Sequence, residues 1–176
     1  MTERIEAAAE PAERMLVITR EFNAPRDLVF KAWTDPELLA RWWGPKGFTM
    51  VFSRMDLRPG GIFHYSMKDA AGAEMVGRFL YREIVEPERL VFTNAFADEN
   101  GNAVPAPFDG PWPVEILNTL IFTEQDGGTL LTMHGIPVNA TEQEMAFFGE
   151  SHNLMRQGFG ATFDQLDEYL RNQTAS

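Results

Sequence analysis

TEQEMAFFGESHNLMRQGFGATFDQLDEYL, residues 141–170, is the stretch that decides the fold. Met145, Phe148, His152, Met155, Phe159, Phe163, Leu166 and Leu170 recur at steps of three or four, which puts them on one helical face. Thr141 followed by Glu144 is a capping box that marks the start. At 1.5 Å per residue such a helix is on the order of 45 Å long, enough to cross a whole sheet. Gly149, Gly158 and Gly160 each cost about 1 kcal/mol in a helix interior, so a kink, or a break near 149 into two helices, is expected.

The rest of the chain supplies that sheet. Residues 14–22, 48–57, 62–68, 74–85, 89–97, 114–124 and 129–137 read as strands. Pro59-Gly60-Gly61, residues 69–72, Pro87 and Asp126-Gly127-Gly128 punctuate them. Period-two alternation assigns faces. Phe63, Tyr65 and Met67 share one, as do Phe79 and Tyr81. Leu90, Phe92, Asn94 and Phe96 share another, as do Ile116, Asn118, Leu120 and Phe122. Between the first two strands, PRDLVFKAWTDPELLARWWGP (25–45) reads as two short helices. Pro25 is expected at the first helical position of one; Asp35-Pro36-Glu37 caps and opens the other. They end in Trp42-Trp43, which need a wide apolar partner such as a curved sheet or a cavity mouth.

The physical solution is one curved antiparallel sheet of about six to seven strands wrapped round the long C-terminal helix, an α+β fold. A highly curved sheet does not close fully on a straight helix, and the gap is a cavity. Residues 98–113 carry four prolines and two glycines, which excludes a helix or a central strand there. Phe108 and Trp112 favour a lid, since a solvated loop has no use for them. Residues 1–13 are expected to be a disordered leader, 14–172 the single domain and 173–176 a tail.

The segment A-P-x-x-L-V-F-x-A-W-T-D-P-E-x-L-x-x-W-W-G-P from Ala24 and D-L-R-P-G-G at 56–61 carry a family resemblance. PERLVFT at 87–93, GGTLLTM at 127–133 and GF…F..L..YL at 158–170 extend it over roughly residues 15–171. The chain resembles bacterial START-like proteins of the SRPBCC superfamily, and more narrowly the family named after the activator of the heat-shock protein 90 ATPase. The resemblance implies the helix-grip fold and leaves the ligand open.

Composition excludes several classes. Cysteine is absent, which removes disulfides, thiolate catalysis and cysteine zinc sites and fits a cytoplasmic location. No apolar run approaches the length of a membrane span. With 26 acidic against 15 basic residues the formal charge is −11, so nucleic acid and anionic bilayers are not expected partners. His64, His134 and His152 stand at no metal-ligand spacing, so no metal is expected, and no cofactor motif occurs. His64 and His134 read as outward surface residues. His152, on the apolar stripe, reads either as a buried, hydrogen-bonded histidine or as a polar group orienting a ligand. Asn94 and Asn118 interrupt apolar faces and must bond each other, the backbone or a ligand.

The function expected is binding of a small lipophilic or aromatic molecule. The candidate ligand-binding residues are Trp42, Phe63, Tyr65, Met67, Phe79, Tyr81, Phe92, Asn94, Asn118, Phe148, His152, Met155 and Phe159; no catalytic residue is assigned. The alternatives are a cofactor-free cyclase, dehydratase or hydrolase of a polyketide-like or aromatic substrate, with His152 or a tyrosine as acid or base, and a chaperone-associated regulator. A chaperone partner is not expected, because the eukaryotic activators carry a further N-terminal domain and this chain has only the short leader. A homodimer is left open.

Overall fold

The computed structural model describes residues 15–174. Strand β1 (Leu16–Phe22) leads into helices α1 (Arg26–Thr34) and α2 (Pro36–Trp42). Then come β2 (Thr49–Met55), β3 (Ile62–Lys68), β4 (Glu74–Val85), β5 (Arg89–Ala97), β6 (Ala103–Val104), β7 (Ile116–Gln125) and β8 (Gly128–Pro137). Helices α3 (Glu142–Glu150) and α4 (His152–Thr174) close the chain. All pairings are antiparallel, and the sheet order is β1-β8-β7-β5-β4-β3-β2 with β6 added to β5. This is the α+β helix-grip arrangement expected. The expected leader, 1–13, lies outside the described residues; of the expected tail, Gln173 and Thr174 belong to α4.

The elements start and stop for local reasons. Pro25 is one position earlier than expected: it is the extended N-cap of α1, and its carbonyl accepts from the N–H groups of Leu28 and Val29. Asp35 caps α2 by accepting from the Glu37 N–H, with Pro36 at the first helical position. Asp126 and Gly127 both hold positive φ, 52° and 81°, as the two-residue turn of the β7–β8 hairpin requires. The break in the C-terminal helix falls at Ser151 rather than at a glycine. Its hydroxyl donates to the Phe147 carbonyl at 2.8 Å, and its backbone sits near ψ 1°. Gly158 and Gly160 lie within α4. The short β6 inside the proline-rich segment was not anticipated. Val104 and Ala103 pair with Phe96 and Ala97 at the end of β5, and Pro105 then ends the pairing.

The inward face of the sheet runs as predicted: Phe63, Met67, Phe79, Tyr81, Leu90, Phe92, Leu120 and Phe122 are buried against Phe163, Leu166 and Leu170 of α4 and the tryptophans of α1 and α2. The long helix is tied to the end of α2. Gln165 donates from Nε2 to the carbonyls of Trp42 (3.0 Å) and Gly44 (2.8 Å), and Thr162 donates to Gly44 (3.3 Å). These bonds satisfy carbonyls that a helix C-terminus otherwise leaves orphaned. Gly44 is required here: its φ is +104°, and a Cβ would stand 2.6 Å from the Met67 side chain.

Two histidines differ from expectation. His64 does face outward from Phe63 and Tyr65, but it is buried: the loop 98–102 folds over it, Nε2 donates to the Asp98 carbonyl at 3.0 Å, and Phe52 meets the ring edge-on at 5.2 Å. Beside it Arg78 bonds Glu115 at 2.8 Å and the Gly101 carbonyl at 3.3 Å. His134, on the same outer face, is half-buried between its neighbours Val17 and Thr119.

Candidate functional site

A cavity of about 450 Å³ lies between the inward sheet face and α4, walled on the other sides by the α2 exit and the strap from β6 to β7. Its volume falls in the range of small-molecule sites. Two inward-facing glycines set where its polar side chains stand. Gly77, opposite Tyr65 on the neighbouring strand, leaves the space the Tyr65 hydroxyl occupies, since a Cβ at 77 would stand 2.5 Å from that oxygen. Gly135, opposite Asn118, leaves the Asn118 carbonyl oxygen uncovered; a Cβ there would come within 3.3 Å of it.

Of the thirteen residues anticipated, Tyr65, Met67, Phe92, Asn94, Asn118, Met155 and Phe159 border the cavity. Trp42, Phe63, Phe79, Tyr81, Phe148 and His152 do not. Trp42 ends α2 and turns inward, donating from Nε1 to the Ala32 carbonyl at 3.0 Å. Phe79 stacks on Phe92 at 4.2 Å and meets the Trp43 ring edge-on at 5.1 Å, while Phe63 and Tyr81 pack against Phe79 at 5.3 and 6.5 Å. Phe148 packs between Trp112 and His152, and His152 is half-buried at the start of α4. The enzyme reading therefore loses the imidazole it named from the cavity wall.

Several wall residues went unrecognised. Met75, Phe96, Ile116 and Met133 continue the inward alternation and were legible from it. Trp33 and Trp43 were not: helical phase places Trp33 in the core, and the extended backbone of Trp43 (φ −74°, ψ 140°) sends its ring to Phe79 while the Trp42 indole goes to the Ala32 carbonyl. Trp112 enters the wall from the strap, as expected of an aromatic in that proline-rich segment. Phe108 bridges it to Phe96 with centroids 6.1 and 5.9 Å away. The D-L-R-P-G-G turn is structural: Arg58 pairs with Asp56 at 2.8 Å, and the Asp56 backbone leaves no room for a Cβ at Gly61.

The polar groups are few and neutral. Asn118 donates from Nδ2 to the Asn94 Oδ1 at 2.6 Å and to the Ile116 carbonyl at 3.2 Å. Burial raises the pKa of Tyr65, with a smaller opposing pull from a hydrogen bond with the Trp43 side chain, so the phenol is a neutral hydroxyl at physiological pH. The buried Trp33 indole N–H has no hydrogen-bond partner among the described residues. No carboxylate or imidazole borders the cavity, and Lys46, exposed beside Pro45 at the rim, is its one charged neighbour among the described residues. No group of His, Asp and Glu among the described residues is placed to hold a metal ion, and no helix there is long and apolar enough to cross a membrane. The site can exclude water from an apolar body and offer it a few hydrogen bonds.

The sequence matches the family model described as "Activator of Hsp90 ATPase homolog 1-like protein" over residues 23–171. The chain belongs to this family. Solved structures agree with the assignment over nearly the whole chain. A protein from Mycobacterium smegmatis is 31% identical, with a TM-score of 0.72, over 91% of this chain and 92% of its own. One from Nitrosomonas europaea is 29% identical, with a TM-score of 0.73, over 94% and 99%. One from Arthrobacter aurescens is 27% identical, with a TM-score of 0.74, over 92% and 88%. No match is found among curated proteins. Within the family frame, the motifs read from the sequence sort into scaffold and wall: Trp42 and the Gly60-Gly61 turn are scaffold, while Trp33, Trp43, Gly44 and Pro45 reach the cavity.

Proposed function

We propose that this family member binds a small, neutral, lipophilic molecule, with an aromatic or fused-ring body, in the cavity between sheet and α4. The observation that carries the reading is the lining: about 450 Å³ bounded by aromatic and methionine side chains, with amide and hydroxyl groups in place of charges. Removing apolar surface from water contributes about 25 cal/mol per Å², which makes burial the driving force here. An ionised ligand group deep in the wall would find no counter-charge and would lose its hydration uncompensated. The methionines Met67, Met75, Met133 and Met155 give the wall the adaptability that suits ligands of related shape.

Native mass spectrometry of gently purified protein, followed by denaturing extraction, tests the reading. A discrete added mass that extracts as a neutral lipophile is the expected result. An apo mass, combined with no thermal shift across a panel of neutral aromatic lipophiles, overturns it.

A further inference from the structure

The two asparagines do more than satisfy each other. The Asn118 Nδ2 is bound to the Ile116 carbonyl, which only accepts, so the amide's orientation is fixed: nitrogen toward Ile116 and Asn94, oxygen away. That fixes Asn94 in turn, because its oxygen must face the Asn118 nitrogen. Both protons of the Asn118 amide are thereby used. The Asn94 NH2 and the Asn118 Oδ1 make no hydrogen bond to other described residues. Both residues border the cavity. Asn118 is 5% exposed, and Gly135 is the residue whose missing side chain keeps its oxygen uncovered.

We propose that this amide pair is a donor–acceptor reader, and that the ligand carries a neighbouring acceptor and donor on one edge of its apolar body. A cis-lactam, or an aryl carbonyl flanked by a hydroxyl or N–H, is the matching chemistry. The ligand carbonyl accepts from the Asn94 Nδ2, and the ligand N–H or O–H donates to the Asn118 Oδ1. A hydrocarbon of the same shape leaves both amide groups desolvated without partners, which is the costly case, whereas a ligand that pairs them removes that cost. The inference rests on the lipophile reading of the cavity and adds the polarity of one end.

Three probes on one tricyclic frame separate the two. Phenanthrene supplies the body alone, 6(5H)-phenanthridinone adds the cis-lactam, and N-methylphenanthridinone keeps the acceptor without the donor. Dissociation constants come from quenching of tryptophan fluorescence, since Trp33, Trp43 and Trp112 are in the wall. Phenanthridinone should bind about tenfold or more tighter than phenanthrene, and N-methylation should remove most of that advantage. In Asn94→Leu the ratio of lactam to phenanthrene affinity should fall to about one. Gly135→Ala is the second variant: it keeps both amides and the hydrogen bond between them, places a methyl against the Asn118 oxygen, and should weaken the lactam selectively. Equal binding of lactam and hydrocarbon by the wild type overturns the reader and leaves the lipophile site standing, as does a lactam preference that survives both substitutions. Failure of all three probes to bind overturns this inference, and the lipophile reading falls with it only when the purified protein also carries no lipophile and no neutral aromatic shifts its thermal midpoint.

Discussion

At the scale of single residues, buried polar atoms define where the chain gives up stability. The Tyr81 hydroxyl lies in the core, 1% exposed, without a hydrogen-bond partner among the described residues, and off the cavity wall. Such an atom loses its hydration and gains nothing. Tyr81→Phe is therefore expected to raise the unfolding free energy by about 1 kcal/mol; a chemical denaturation midpoint that falls instead would show that the hydroxyl has a partner in solution. The same burial governs the alkaline limb. Burial raises the phenol pKa of both Tyr65 and Tyr81 above the ordinary value. Unfolded phenols ionise near pH 10. Above that pH the folded state keeps protons that the unfolded state has lost, so folding stability is full below about pH 10 and falls as pH rises past it. Comparing the 295 nm absorbance of wild type with Tyr65→Phe and Tyr81→Phe isolates these two groups. Their tyrosinate signal should develop only together with loss of the near-ultraviolet circular dichroism; a signal arising in the native fold would refute the buried assignment.

At the scale of elements, period and capping were legible and the exceptions have physical causes. Seven strands, both short helices, the hairpin at Asp126-Gly127 and the stripe from Met145 to Leu170 follow from alternation, proline and acidic caps, and helical spacing. Those signals are local and reside in the sequence itself. The break at Ser151 was assigned to the neighbourhood of Gly149 because glycine weakens a helix. At Ser151 the backbone N–H is shared between the Phe147 and Phe148 carbonyls at 3.1 Å each and the hydroxyl adds a further bond to Phe147, a local arrangement that composition does not reveal. His64 was read as a surface residue because its strand face was known and the cover over that face, the 98–102 loop, was not. Gly158 tests the element directly. It sits within α4 at the cavity rim, and a Cβ there would meet nothing within 4 Å. Gly158→Ala should therefore stabilise the protein by about 0.5–1 kcal/mol, the helix-propensity difference, with no change in the denaturant dependence. A destabilised variant would mean that the helix needs glycine's backbone freedom at this point.

At the scale of the whole molecule, the cavity is a consequence of how one sheet and one helix fail to meet, and the parts that fill the gap come from far apart in the chain. This is why the site was only half legible. Residues on the inward strand phase, such as Tyr65, Phe92, Asn94 and Asn118, follow from alternation, and Met155 and Phe159 follow from the helix stripe. Which inward residues meet cavity and which meet core is set by the α2 exit, where Trp43 rather than Trp42 turns to the sheet, and no local pattern reports that. The strap between β6 and β7 is the remaining wall. Trp112 is half-buried, sits 5.8 Å from Phe148 on α3 and 6.1 Å from Phe108, and shares the cavity wall with Val114 and Ile116. It belongs to a segment with little regular structure, so the sheet and α4 do not depend on it. Its removal should consequently separate ligand retention from folding. Trp112→Ala is expected to weaken binding of a tricyclic probe such as phenanthridinone about tenfold, mainly through faster release. The thermal midpoint of the protein without ligand should fall by only a few degrees, in keeping with a change near 1 kcal/mol in a domain of this size. Stopped-flow release rates together with a thermal scan decide the matter: a large loss of midpoint with unchanged release would make the strap a structural brace instead of a wall of the site.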